Sequence, residues 1–221
     1  MTHIDKCCDI EKLQRTKAYI LENQEDTVLD SYLKNRELTV VCRKVDIEEF
    51  MRFLRDDKKC QFKMLIDLCG VDWPKREKRF DVVYHLLSLT RNVRIRVKVS
   101  VKELSVPSIC SVHPCADWFE RETYDMFGIH FENHPDLRRI LTDYDFDGFP
   151  LRKDFPVEGK VEAYYDEKSK RVAYKPVDMP QEYRHFDKVS PWQGLDDPIS
   201  LAEEDNTFDR GEFTAEEAIN D

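Results

Sequence analysis

Apolar and polar positions alternate with clear periods over the first hundred residues. Ile10, Leu13, Ile20 and Leu21 lie on one side of a charged surround, the pattern of an amphipathic helix over residues 9–23. Two β-rich runs follow at 27–33 and 37–42, and Lys34-Asn35-Arg36 between them supplies the polar turn of a hairpin. A second helix is predicted over 46–57, because Ile47, Phe50, Met51 and Leu54 recur at i, i+3, i+4 and i+7. Asp46 and Glu49 there can form a capping box, and Val45 can staple onto Phe50. Three strands are expected at 63–71, 80–89 and 93–101. In the last, Val93, Ile95, Val97, Val99 and Val101 alternate with Arg94, Arg96 and Lys98, giving one core face and one basic face. The order α-β-β-α-β-β-β predicts a two-layer α+β domain with a mixed or antiparallel sheet.

A further helix is predicted over 114–127, with Pro114 suited to its start and Gly128 to its stop. Trp118, Phe119, Glu122 and Met126 share one face, so Glu122 is expected to be buried and to need a cation. Arg138, Arg139, Arg152 and Lys153 are the candidates, and a structural ion pair is the ordinary outcome of such burial. Past Pro156 the runs 161–165 and 171–175 can pair, after which Pro176, Pro180, Pro191 and Pro198 rule out long regular elements. Tyr164, Tyr165, Tyr174, Tyr183, Phe186 and Trp192 stud this stretch, suggesting an arm laid across another subunit, or else wrapped on its own domain. The expected division is an α+β domain at 1–127, an interaction arm at 128–194 and an acidic, disordered tail at 195–221.

Charge sharpens that division. The formal net charge is −10, yet from residue 195 onward ten acids face the single base Arg210, so nearly all of the excess sits in the tail. The remainder is close to neutral, which argues against nucleic acid as a partner. No run approaches the roughly 18 apolar residues of a membrane span, and the N-terminus lacks an apolar signal core, so a reducing cytosol or organelle matrix is expected. Seven cysteines with no Cys-x-x-Cys pair agree with reduced thiols. Cys110, His113 and Cys115 form the most tempting metal cluster but lack a fourth ligand nearby. Asp143, Asp145, Asp147, Gly148 and Asp154 imitate an EF-hand loop, but Pro150 and Pro156 forbid the exiting helix.

The densest stretch carries a resemblance. Glu120-Arg121-Glu122, Asp125-Met126-Phe127, His134, Arg138 with Ile140-Leu141, the run from Pro150 to Pro156, and Ser190-Pro191-Trp192 closely resemble the signature of one family. That family is the 30-kDa (C) subunit of NADH:quinone oxidoreductase, respiratory complex I, of alphaproteobacterial or mitochondrial type. Asp145 and Asp147 depart from it, standing where Gly and Glu are expected. The resemblance implies a scaffold subunit that binds the 49-kDa quinone-site subunit, while neighbours carry electrons from NADH through FMN and iron–sulfur clusters to ubiquinone. It implies no catalytic, cofactor-binding or metal residue in this chain. Glu120, Arg121, Glu122, Asp125, His134, Arg138, Arg139, Arg152, Lys153, Asp154 and Trp192 become signature and interface residues. The implied location is peripheral, on the cytoplasmic side of a bacterial inner membrane or the matrix side of a mitochondrial one. The competing readings are a homologous subunit of another quinone-reducing or hydrogenase complex, and a free-standing enzyme or metal binder. Glu120 and Glu122, two apart on a helix, point to different sides and could not flank one substrate.

Overall fold

The computed structural model describes residues 3–157 and 159–178, with side chains from residue 10 onward. In chain order the elements are α1 (His3–Asn23), β1 (Val28–Lys34), β2 (Glu37–Cys42), α2 (Ile47–Asp56), β3 (Met64–Asp72), β4 (Phe80–Ser88), β5 (Val93–Val101), β6 (Ser105–Pro107), α3 (Ala116–Phe127), β7 (His130–Glu132), β8 (Val161–Asp166) and β9 (Arg171–Pro176). The α+β class and the expected element order therefore stand. Asn35 and Arg36, with φ of 53° and 64°, make the two-residue turn between β1 and β2, whose left-handed conformation matches the twist of the strands it joins.

Five strands form one sheet in the order β1-β2-β5-β4-β3. It is mixed, because β2 and β5 run parallel while the other neighbours are antiparallel. The register Val82↔Val99, Tyr84↔Val97 and Leu86↔Ile95 puts the apolar half of β5 opposite the apolar half of β4, and all six side chains are buried. Ile47, Phe50, Met51 and Leu54 of α2 join the same core. On the other face Arg94 is exposed, Arg96 pairs with Glu37 at 2.5 Å, and Lys98 donates to the Tyr32 hydroxyl at 3.2 Å.

The start of α2 differs from expectation. Asp46 makes no side-chain cap bond, because its carboxylate lies 2.8 Å from Arg43 instead, and Val45 is exposed rather than stapled onto Phe50. Two three-residue strands that periodicity did not reveal, β6 and β7, pair in parallel and bracket α3. Helix α3 packs on β3, and Gly70 permits the approach: a Cβ there would stand 2.7 Å from Phe127 Cδ2.

The chain divides into two compact units, with the boundary after Val157. Residues 128–157, expected to open the arm, thus belong to the first unit. In the second, β8 and β9 form the antiparallel hairpin anticipated from the sequence. Tyr183, Phe186, Trp192 and the acidic tail lie outside the described residues. Among the described residues no helix is long and apolar enough to cross a membrane.

Candidate functional site

Three buried carboxylates fasten α3 and the segment after it to the sheet. The first is Glu120, fully buried on α3. It accepts from the Ser108 hydroxyl at 2.6 Å, the Ile109 N–H at 2.8 Å and the Cys110 thiol at 3.3 Å, so it ties the helix to the chain leaving β6. Burial raises the Glu120 carboxyl above its ordinary range, against the lowering effect of those donors and of His134. His134 Nε2 is 3.8 Å from Glu120 and 3.2 Å from Asp117 Oδ1.

The second is Asp125, one turn further along and also fully buried. Its Oδ2 accepts from the backbone N–H of Ile140 (3.1 Å), Leu141 (2.7 Å) and Thr142 (2.9 Å). Its Oδ1 accepts from the Thr142 hydroxyl and from Arg139 Nη1 at 2.8 Å. Burial alone would push the carboxyl up, but the bonds from Thr142, Leu141 and Arg139 outweigh it and hold Asp125 well below the usual carboxylate range. Arg139 also donates to the Gly148 carbonyl at 3.2 Å, so one helical residue organises the chain from 139 to 148. Arg121 spans the same stretch, reaching the Arg138 carbonyl at 3.3 Å while its guanidinium lies over the Trp118 ring. Arg138 turns outward to Asp136.

The third is Asp72, at the end of β3. Arg79 grips it in a two-pronged contact of 2.6 and 2.8 Å and also holds Asp154 at 2.9 Å, while the Lys153 N–H donates to Asp72 at 2.7 Å. The Arg79 hydrogen bonds lower the Asp72 carboxyl below its ordinary value. The engagement of Asp154 by Arg79 also removes the EF-hand imitation, since its twelfth-position carboxylate is committed elsewhere.

Glu122, expected to be the buried carboxylate of α3, is exposed. The helix is rotated from the expected orientation: Ala116, Glu120, Thr123 and Met126 face inward and Trp118 faces out. The expected device, a buried helix carboxylate held by an arginine from the following segment, exists on Asp125 and Arg139 instead. Glu122→Gln should therefore leave the melting temperature of the chain unchanged, whereas Glu120→Gln should shift it; thermal denaturation of the two variants checks the assignment.

Cys110 Sγ, a Glu120 oxygen and His134 Nε2 all lie within 4.8 Å of one another, close enough to be weighed as metal ligands. The hydrogen bonds argue otherwise. His134 Nδ1 accepts the Asp136 N–H at 3.0 Å, which leaves the ring proton on Nε2, the atom that would have to ligate. Burial pushes the Cys110 thiol up to about 12, so it is a donor to Glu120 rather than a thiolate. Cys115, a member of the trio tempting in the sequence, is exposed and turned toward the Leu65 carbonyl.

Above this buried framework the segment presents apolar side chains to solvent: Trp118 is 65% exposed, Leu141 63%, Tyr144 79% and Leu151 52%. Residues 40–161 match the family described as respiratory-chain NADH dehydrogenase, 30 Kd subunit. The chain belongs to that family. It is 57% identical over 187 residues to the C subunit of NADH-quinone oxidoreductase from Rhizobium leguminosarum bv. trifolii, covering 84% of this chain and 94% of the relative. It is 56% identical over 187 residues to the corresponding protein of Bartonella bacilliformis, covering 84% and 91%. Among solved structures, a chain of the membrane-bound sulfane sulfur reductase, an archaeal respiratory membrane complex, matches with a TM-score of 0.56 and 26% identity, over 65% of this chain and 85% of that one.

The family match spans the sheet from β2 onward, α3 and all three carboxylate clusters. Asp72, Arg79, Ser108 and Cys110 take part in those clusters without having been singled out for them from the sequence. For Asp72 a signal existed, since it shares two-residue periodicity with Leu68 and Gly70 and so sits on the core-facing side of β3. Ser108 occurs in an irregular stretch and offered none, while Cys110 drew notice only beside His113 and Cys115 as a candidate metal ligand.

Proposed function

We propose that this chain is a non-catalytic subunit of the peripheral arm of a proton-translocating NADH:quinone oxidoreductase, and that it scaffolds the 49-kDa quinone-site subunit. Electrons then pass from NADH through FMN and iron–sulfur clusters to ubiquinone in the neighbouring subunits, with this chain holding no redox group. It sits at the membrane surface through the complex alone, on the cytoplasmic side of a bacterial inner membrane. The observation that carries this reading is the combination in residues 118–154: polar side chains bond to one another beneath, and exposed Trp118, Leu141, Tyr144 and Leu151 face outward. An irregular segment that is fixed internally and apolar externally has the build of a protein-binding surface, with its ordering cost met before association.

The purified chain should show no flavin or iron–sulfur absorbance, no stoichiometric metal and no NADH oxidation. Absorbance spectroscopy and elemental analysis check this. A stoichiometric flavin, zinc or iron signal in pure protein would overturn the scaffold assignment, and zinc in particular would restore the Cys110, Glu120 and His134 cluster as a site.

A further inference from the structure

Arg152 is held between two aromatic rings with no carboxylate of its own. Its guanidinium centre lies 4.2 Å from the Phe149 ring centroid and 5.2 Å from that of Phe80, and its Nε donates to the Phe127 carbonyl at 2.7 Å. Three separate parts of the first unit therefore fix it: β4, the end of α3 and the loop after residue 148. Gly128 completes the slot, since a Cβ at that position would stand 2.5 Å from Arg152 Nη2. The two carboxylates nearby, Asp72 and Asp154, are both taken by Arg79. Among the described residues Arg152 itself forms no ion pair, and its two Nη atoms make no hydrogen bond. Burial and the neighbouring Arg79 act against its charge, partly offset by Asp154 and Asp72. A guanidinium that is stacked and without an ion pair of its own has lost much of its rotamer freedom already, so a carboxylate reaching it gains two parallel hydrogen bonds at little further ordering cost. Leu151 beside it is exposed and supplies the apolar contact that excludes water from such a pair.

We propose that Arg152 is a docking point for an Asp or Glu side chain of a neighbouring subunit, received by the free Nη edge of its guanidinium with Leu151 alongside. The proposal rests on the scaffold reading above and names one contact within it. A protein carboxylate is favoured over a free anion or a lipid phosphate, because Leu151, next to Arg152 in the chain, is exposed and calls for an apolar surface beside the acid.

The test uses the assembled complex carrying Arg152→Lys in place of the native chain. A carbodiimide joins amines to carboxylates in direct contact and leaves guanidinium groups alone, so the variant should give a new cross-link from position 152 to an acidic residue of another subunit, absent from the wild type. A link only to Asp72 or Asp154 of its own chain, or no new link in an intact assembly, would overturn the proposal. Arg152→Gln supplies a second readout. The salt concentration that releases half of the chain from the assembly should fall on the order of twofold, beyond what the lost bond to the Phe127 carbonyl takes from the thermal stability of the free chain. An unchanged salt profile, or a loss of assembly fully matched by a loss of thermal stability, assigns Arg152 a structural role and refutes docking. If the wild-type chain brings down no other subunit, the scaffold reading itself fails, a result distinct from all of these.

Discussion

Asp125→Asn is expected to be among the most damaging single substitutions in this chain. Five donors converge on the two oxygens of Asp125, and an amide in its place would aim an NH2 group at donors in either orientation. The variant also leaves Arg139 without its carboxylate, and breaking a buried pair from one side costs about 3 to 5 kcal/mol. For a unit of this size that corresponds to a fall in melting temperature on the order of 10 °C. The pH dependence has a definite sign. Because the folded-state value of Asp125 is depressed, its stabilisation is present above the unfolded value of about 4 and is lost as pH falls through the folded one. Wild type and Asp125→Asn should therefore differ most near neutrality and converge in acid. Glu120 acts oppositely, since a raised carboxyl contributes stability at low pH that is lost as pH rises through its folded value. Adding Arg139→Met to Asp125→Asn should cost much less than Arg139→Met alone, because the two residues form one unit. Strict additivity in thermal or urea denaturation would show that they are not coupled.

Gly128→Ala should be the second large effect, for two reasons that a further variant separates. Gly128 ends α3 with φ of 75°, donating its N–H to the Tyr124 carbonyl at 2.8 Å, and a side chain in that left-handed region costs about 1 to 2 kcal/mol. In addition the new Cβ would lie 2.6 Å from Phe149 Cζ as well as close to Arg152, both of which would have to move. Asparagine tolerates the left-handed conformation, so Gly128→Asn relieves the first cost and keeps the second. If the two variants melt at similarly lowered temperatures, crowding against Phe149 and Arg152 dominates; if Gly128→Asn melts near the wild type, backbone strain does. Gly159, whose Cβ would meet only the Val161 carbonyl at 3.7 Å, serves as the control, and Gly159→Ala should be nearly neutral.

The regular part of the fold was legible because its residues follow simple periods. The alternation of β5 and the i, i+3, i+4, i+7 pattern of α2 describe faces that are apolar inside and polar outside, as the structure has them. Parallel pairing of β2 with β5 was not legible, since it joins residues more than fifty positions apart through no local turn. Helix α3 misled for a chemical reason. Its inward face carries Glu120, Thr123 and the neighbouring Asp125, while Trp118 points outward, so polarity inverts the usual rule and rotates the inferred helix. Such inversion is expected where a fold spends buried polar groups on holding an irregular segment and leaves apolar groups outside for a partner. The capping box at Asp46 failed differently: the local motif was present, but Arg43 competed for the same carboxylate. The density of signature residues from 120 to 156 marked the right region, although it could not distinguish Glu122 from Asp125.

The central claim is that this chain works as a structural member of a large NADH-oxidising assembly, and isolation of the affinity-tagged chain from its native membranes tests it most directly. The chain is expected to elute with that assembly, in an eluate that passes electrons from NADH to quinone. A chain that elutes alone, while NADH:quinone activity stays behind in the membranes, would contradict it.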